Sequence, residues 1–296
     1  MRHQPAGLLD RTFPYWSLLP AVVVFVVLSL YPLLNLLFMS VSTFRFEGGV
    51  EHATFDPLAN LRYFGEDPVL RPAILNTLIF VVVAVSLELA IGLALAITVS
   101  RVSRWKGLLR TLIILPILVP PVAIGSMWRL MYNYDFGVFN QFLAVFGLGP
   151  VNWLGDSRFA LASVIMVDVW HWVPFIFLIL FAAVEGLPSD VVEAARIDGA
   201  RQAQVTRYIV LPLLGPAIAV AFTFRAILAF KTFDEVFLLT SGGPGTATEL
   251  ISLHLYKVFF AQNNLGYGAM LSVTVILMVV SFLLVSRRAT QGGKDA

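Results

Sequence analysis

Few ionisable residues stand inside the apolar stretches of this 296-residue chain, and those few mark where chemistry would sit. Asp168 lies in Val167-Asp-Val-Trp-His-Trp-Val-Pro174, and Arg225 lies in Phe222-Thr-Phe-Arg-Ala226. Asp168, His171, Trp172 and Phe175 have the spacing of one helical face, so a carboxylate, an imidazole and two aromatic rings can line one wall. Such a wall suits a polyhydroxylated ligand, whose hydroxyls pair with the polar groups while its CH faces lie on the rings. The competing reading is structural: Asp168 and Arg225 pair across two segments and hold them together, and the tryptophans pack against lipid or sit at its interface. The residues alone leave both readings open.

Other chemistries lack their residues. His3, His52, His171 and His254 are scattered, with neither metal-ligand spacing nor a nucleophile beside a base, so no metal site and no catalytic residue is assigned. The absence of cysteine removes disulfides, thiolate nucleophiles and Cys-based metal sites. Gly292-Gly-Lys294 lacks the hydroxyl residue and the preceding strand of a phosphate-binding loop, so ATP hydrolysis, if the protein depends on it, takes place in another chain. The net charge of +2 and the lack of a basic block set nucleic acid aside.

The elements that must position these residues follow from composition. With 58% hydrophobic residues, 13% charged and a mean hydropathy of +0.85, the main solvent is a lipid bilayer. Six segments approach the ~20 apolar residues a helix needs to cross the hydrocarbon: Trp16 to Ser40, Leu75 to Ser100, Leu108 to Leu130, Phe159 to Val184, Ile209 to Phe230 and Tyr267 to Val285. The first is too long for a signal-peptide core and is read as a retained helix. Arg101, Arg104, Lys106 and Arg110 crowd the second connection without an acidic residue, which places that connection and both termini in the cytoplasm. The expected organisation is a cytoplasmic tail over 1–15, a first membrane helix over 16–40, an external loop over 41–74, a five-helix core over 75–285, and a cytoplasmic tail over 286–296. Pro116, Pro120, Pro121, Pro174, Pro212 and Pro216 mark either bends beside a cavity or ordinary kinked packing.

One cytoplasmic connection, 187–212, carries punctuation of its own. Ser189 can cap, Asp190 and Glu193 suit the positive end of a helix dipole, and Gly199 allows a change of direction before Ile209-Val-Leu-Pro212. A short amphipathic helix, a turn and a second helix are expected.

This connection, with Glu193-Ala194-Ala195, Asp198-Gly199-Ala200 and Ile209-Val-Leu211-Pro212, resembles the signature of the permeases of binding-protein-dependent ABC importers. The resemblance implies the all-α, six-helix type I importer permease fold, in which this loop is a coupling helix seated on a cytoplasmic ATPase. Glu193, Ala194, Ala195, Arg196, Asp198, Gly199, Ala200 and Arg201 would then make that contact. It also implies the partners: a second homologous permease, two ATPase subunits that hold ATP and Mg, and an extracytoplasmic solute-binding protein, in a bacterial inner membrane. This chain would carry no cofactor itself.

A second stretch, Leu238-Leu-Thr-Ser-Gly-Gly-Pro-Gly, is similar to the carbohydrate-uptake branch, including the maltose and glycerol-phosphate permeases, with Ser241 ahead of Gly242, Gly243 and Pro244. By itself it also reads as a simple turn. Carried over from that branch, the solute pathway comprises Ile117, Asp168, His171, Trp172, Phe175, Arg225, Leu228 and Thr232. Arg225 departs from the small polar residue expected there, which points away from maltose toward an anionic or heavily hydroxylated solute. Glu88 is assigned to helix packing, whereas Lys231, Asp234 and Glu235, near the outer end of span five, read either as contacts to solute or binding protein or as exposed helix-end charges that need no special function. The alternative is an ion-gradient-driven transporter using Asp168 and Glu88. It would show an inverted repeat, which is not visible, and it leaves the 187–212 connection unexplained.

Overall fold

A computed structural model describes residues 8–48 and 50–292; His3, Lys294 and the outermost parts of both tails lie outside them. Among the described residues, five single helices are long and apolar enough to cross a bilayer: Trp16–Ser40, Leu70–Ser100, Ala160–Glu185, Gln202–Ala229 and Leu265–Arg288, called here spans one, two, four, five and six. Span three is a broken pair, Lys106–Leu118 and Pro121–Met131, bent by 96°. The bend has a local cause. Pro121 disfavours the helical conformation for Pro120, whose ψ is 141°, and neither proline supplies an amide donor. Pro174 and Pro216 instead sit inside helices that continue past them.

The chain divides into two units. The larger comprises Asp67–His254 and Leu277–Ala296. Within it, spans two and four lie side by side, and Phe80, Val81, Ala84 and Val85 share one buried cluster with Val164 and Val167. Gly92 lets the helices approach, because a methyl group there would stand 2.6 Å from Ile176 Cγ2. Two thirds of the most apolar window of span four is buried inside the protein, which makes it the helix around which this unit is built.

The smaller unit comprises Met1–Glu66 and Leu255–Ile276. Span one is apolar on all sides and buries none of its most apolar window, as suits a helix in hydrocarbon. The residues expected as a plain external loop contain a β-hairpin, Ser42–Glu47 antiparallel to Val50–Phe55, and a helix, Pro57–Glu66. Thr43 and Thr54 share a hydroxyl hydrogen bond of 2.8 Å across the strands. Asn60, 1% exposed, donates from Nδ2 to the Ser40 and Ser42 carbonyls, each at 3.0 Å. The carbonyl of Ser42 also approaches Gly266 so closely that no Cβ fits there.

Candidate functional site

Because span four is helical throughout Ala160–Glu185, Asp168, His171, Trp172 and Phe175 do share a face. Their exposures differ. Asp168 is 0% exposed and His171 5%, while Trp172 and Phe175 are half-buried. Arg225, from span five, is also 0% exposed and meets two carboxylates. Its Nε lies 2.6 Å from Glu88 Oε2, its Nη2 donates to Glu88 Oε1 at 2.9 Å, and the same Nη2 donates to Asp168 Oδ2. One guanidinium thus ties spans two, four and five. A buried arginine is tolerable only with such partners, since an unpaired charge away from water costs several kcal/mol.

Aromatic and imidazole groups extend this cluster. The Trp172 ring lies 4.9 Å from the Arg225 guanidinium and meets Phe175 edge-on at 5.9 Å. His171 Nδ1 stands 2.9 Å from Glu235 Oε1. Glu235, expected as an exposed helix-end charge, is 5% exposed on the short helix Asp234–Leu239. Its partner is 64 positions away, and no local pattern marks such a pair. Ile117 and Leu228 are half-buried, and Thr232 is 7% exposed, its carbonyl accepting from Ser252 Oγ. Among the described residues, no hydrogen bond, ion pair or ring contact joins these three to the Arg225 cluster.

The connection after span four forms the helix Ser189–Ile197, with Glu193, Ala194 and Arg196 exposed and Ala195 half-buried. Ser189 does not cap a backbone amide; its hydroxyl donates to Asp190 Oδ1 at 3.2 Å. The turn follows at Asp198, Gly199, Ala200 and Arg201. Gly199 has φ +80°, the left-handed conformation that ends helices, with its N–H donating to Arg196 O at 3.1 Å and the Ala200 N–H to Ala195 O at 3.0 Å. The Arg201 N–H donates to Gln204 Oε1 at 2.7 Å and starts the next helix. Val192, Ala195 and Leu187 pack on Val205, Val210 and Leu214, so one side of the loop helix rests on span five, while Glu193 and Arg196 together with Val191 and Ile197 are exposed. A depression of about 400 Å³ opens beside this turn, lined by Asp198 to Ala200, Gln204, Val205, Tyr208 and Ile209.

At the other end of the unit, Gly242, Gly243 and Pro244 form a tight loop, with Gly242 at φ +93° and a cis Gly243–Pro244 peptide bond. Thr248 Oγ1 donates to Gly243 O at 2.8 Å. Asn76 Nδ2 donates to Thr246 O at 2.8 Å and to Glu249 O at 3.1 Å, and the Ile251 N–H donates to Thr77 Oγ1 at 2.9 Å. The Asn76-Thr77 pair therefore fastens this loop to span two.

Residues 88–289 match the family model described as binding-protein-dependent transport system inner membrane component. The trehalose/maltose transport system permease protein MalF of Thermococcus litoralis is 38% identical over 219 residues, 74% of each chain. The lactose transport system permease protein LacF of Rhizobium radiobacter is 32% identical, covering 89% of this chain and 90% of its own. In a crystal structure of a bacterial alginate ABC transporter in complex with alginate pentasaccharide-bound periplasmic protein, one chain superposes with a TM-score of 0.79 at 22% identity, covering 95% of this chain and 96% of that one.

Proposed function

The chain belongs to the family of binding-protein-dependent transport system inner membrane components, and on that premise we propose how its parts move a carbohydrate across the membrane. It is a multi-pass permease subunit of an ABC importer, not an enzyme. Its solute is a sugar or a related polyol derivative, the class named for its relatives. ATP and Mg are held by two cytoplasmic ATPase subunits, a second homologous permease completes the membrane core, and an external binding protein delivers the solute. The chain sits in a bacterial inner membrane with both termini in the cytoplasm. Two contacts support this arrangement. Lys106 pairs with Glu185 at 2.6 Å and Arg101 donates to Thr206 at 2.7 Å, so the basic connection after span two lies on the same side as the 187–212 connection.

The observation that carries the coupling role is the exposed face of Ser189–Ile197, which sets Glu193 and Arg196 beside Val191 and Ile197, together with the left-handed turn at Gly199. The loop helix packs on span five through small apolar side chains, so a push on it passes to that span. Closure of the ATPases then biases the permease between inward-open and outward-open forms. The solute wall is built from Trp172 and Phe175, with Ile117, Leu228 and Thr232 farther along the pathway. Arg225, held by two carboxylates and fully buried, braces the spans behind that wall. The test is Gly199→Val in the reconstituted importer: uptake should fall while ATP hydrolysis persists. Uptake per ATP equal to that of the parent would contradict the coupling role.

A further inference from the structure

We propose that the depression beside Gly199 is a socket for one cationic side chain of the ATPase subunit, so that the permease receives a projection as well as presenting a helix. This rests on the coupling role given above and specifies its chemistry.

The socket has an apolar floor and one unpaired carboxylate at its edge. Val205 is fully buried, Ala200 and Ile209 are half-buried, and the Tyr208 ring, 69% exposed, stands beside them. An aliphatic stem lies well on such a surface. Among the described residues, Asp198 is the only charged one lining the space. Its exposed carboxylate forms no ion pair with Arg196, Arg201 or Arg207, although all three are close in sequence. Tyr208 already takes a guanidinium, that of Arg207, at 5.8 Å from its ring centroid.

These features select the occupant. A carboxylate from the partner would meet Asp198 and be repelled, and an apolar side chain would strip water from Asp198 without pairing it. An arginine or lysine satisfies both parts, with its stem on Val205 and Ile209 and its head on the Asp198 carboxylate.

The assembled importer, purified through a tag on this chain, provides the test. A photoreactive p-benzoylphenylalanine replaces Tyr208 in the socket and, in a separate variant, Val191 on the exposed side of the loop helix. Illumination followed by peptide mass spectrometry should give an ATPase adduct from both positions, the Tyr208 adduct falling on or beside an arginine or lysine. An adduct from Val191 with none from Tyr208, or a Tyr208 adduct on a peptide without a basic residue, would overturn the socket while leaving the coupling role intact. No ATPase in the assembly, or no adduct from either position, would overturn both. Asp198→Lys should reduce recovered ATPase about tenfold or more, with Asp198→Asn milder, and changing the adducted basic residue to Glu should restore it. Failure of that exchange to restore recovery would also count against the socket.

Discussion

Arg225 is the residue on which the membrane interior turns. It has no access to solvent, and its guanidinium answers carboxylates from two other spans. Arg225→Met should destabilise the protein by about 3–5 kcal/mol, read as a lower Tm in detergent, because Glu88 and Asp168 would stay buried without a cation. Combining it with Glu88→Gln and Asp168→Asn should recover most of that loss; a single variant as stable as the parent would contradict the bracing role. Trp172 makes a different prediction. Trp172→Ala should weaken solute affinity about three- to tenfold, and Trp172→Phe much less, as measured by solute-dependent stabilisation of the purified assembly. The sequence alone left Asp168 and Arg225 between an ion pair and a solute contact. The observed pairing supports the first. The link from His171 to Glu235 was not legible, because a buried pair is a product of tertiary packing that residue spacing does not encode.

At the scale of elements, close packing between spans two and four depends on Gly92. Gly92→Val would drive side-chain atoms into Ile176 and should cost about 1–3 kcal/mol, seen as a lower Tm, with Ile176→Ala in the same chain relieving part of it. Full stability in Gly92→Val would mean the helices can separate there freely. At Gly199, where φ is +80°, a β-branched residue carries strain of about 1–3 kcal/mol, which is why the uncoupling experiment uses valine. Long apolar runs made the spans readable, and glycine and proline punctuation made the helix and turn of 187–212 readable. Span three reads in the sequence as one crossing interrupted by prolines, and Pro120-Pro121 is where it breaks; only the 96° between its halves is not legible there. The hairpin at 42–55 is not legible in the sequence, each strand being six residues long. Short strands next to a membrane span leave little periodicity to detect.

At the scale of the whole molecule, the proposed function makes this chain one subunit of an assembly. Its loop helix exposes Glu193 and Arg196 beside Val191 and Ile197, its Gly-Gly-Pro loop is fastened to span two through Asn76 and Thr77, and its relatives are transport system permease proteins. The most direct measurement is uptake of a carbohydrate by proteoliposomes holding the complex purified through this chain, with ATP inside and the binding protein outside. Uptake that requires both ATP and the binding protein, from a complex containing a second permease and an ATPase, is the predicted result. Uptake by this chain alone, driven by an ion gradient and indifferent to ATP, would contradict it.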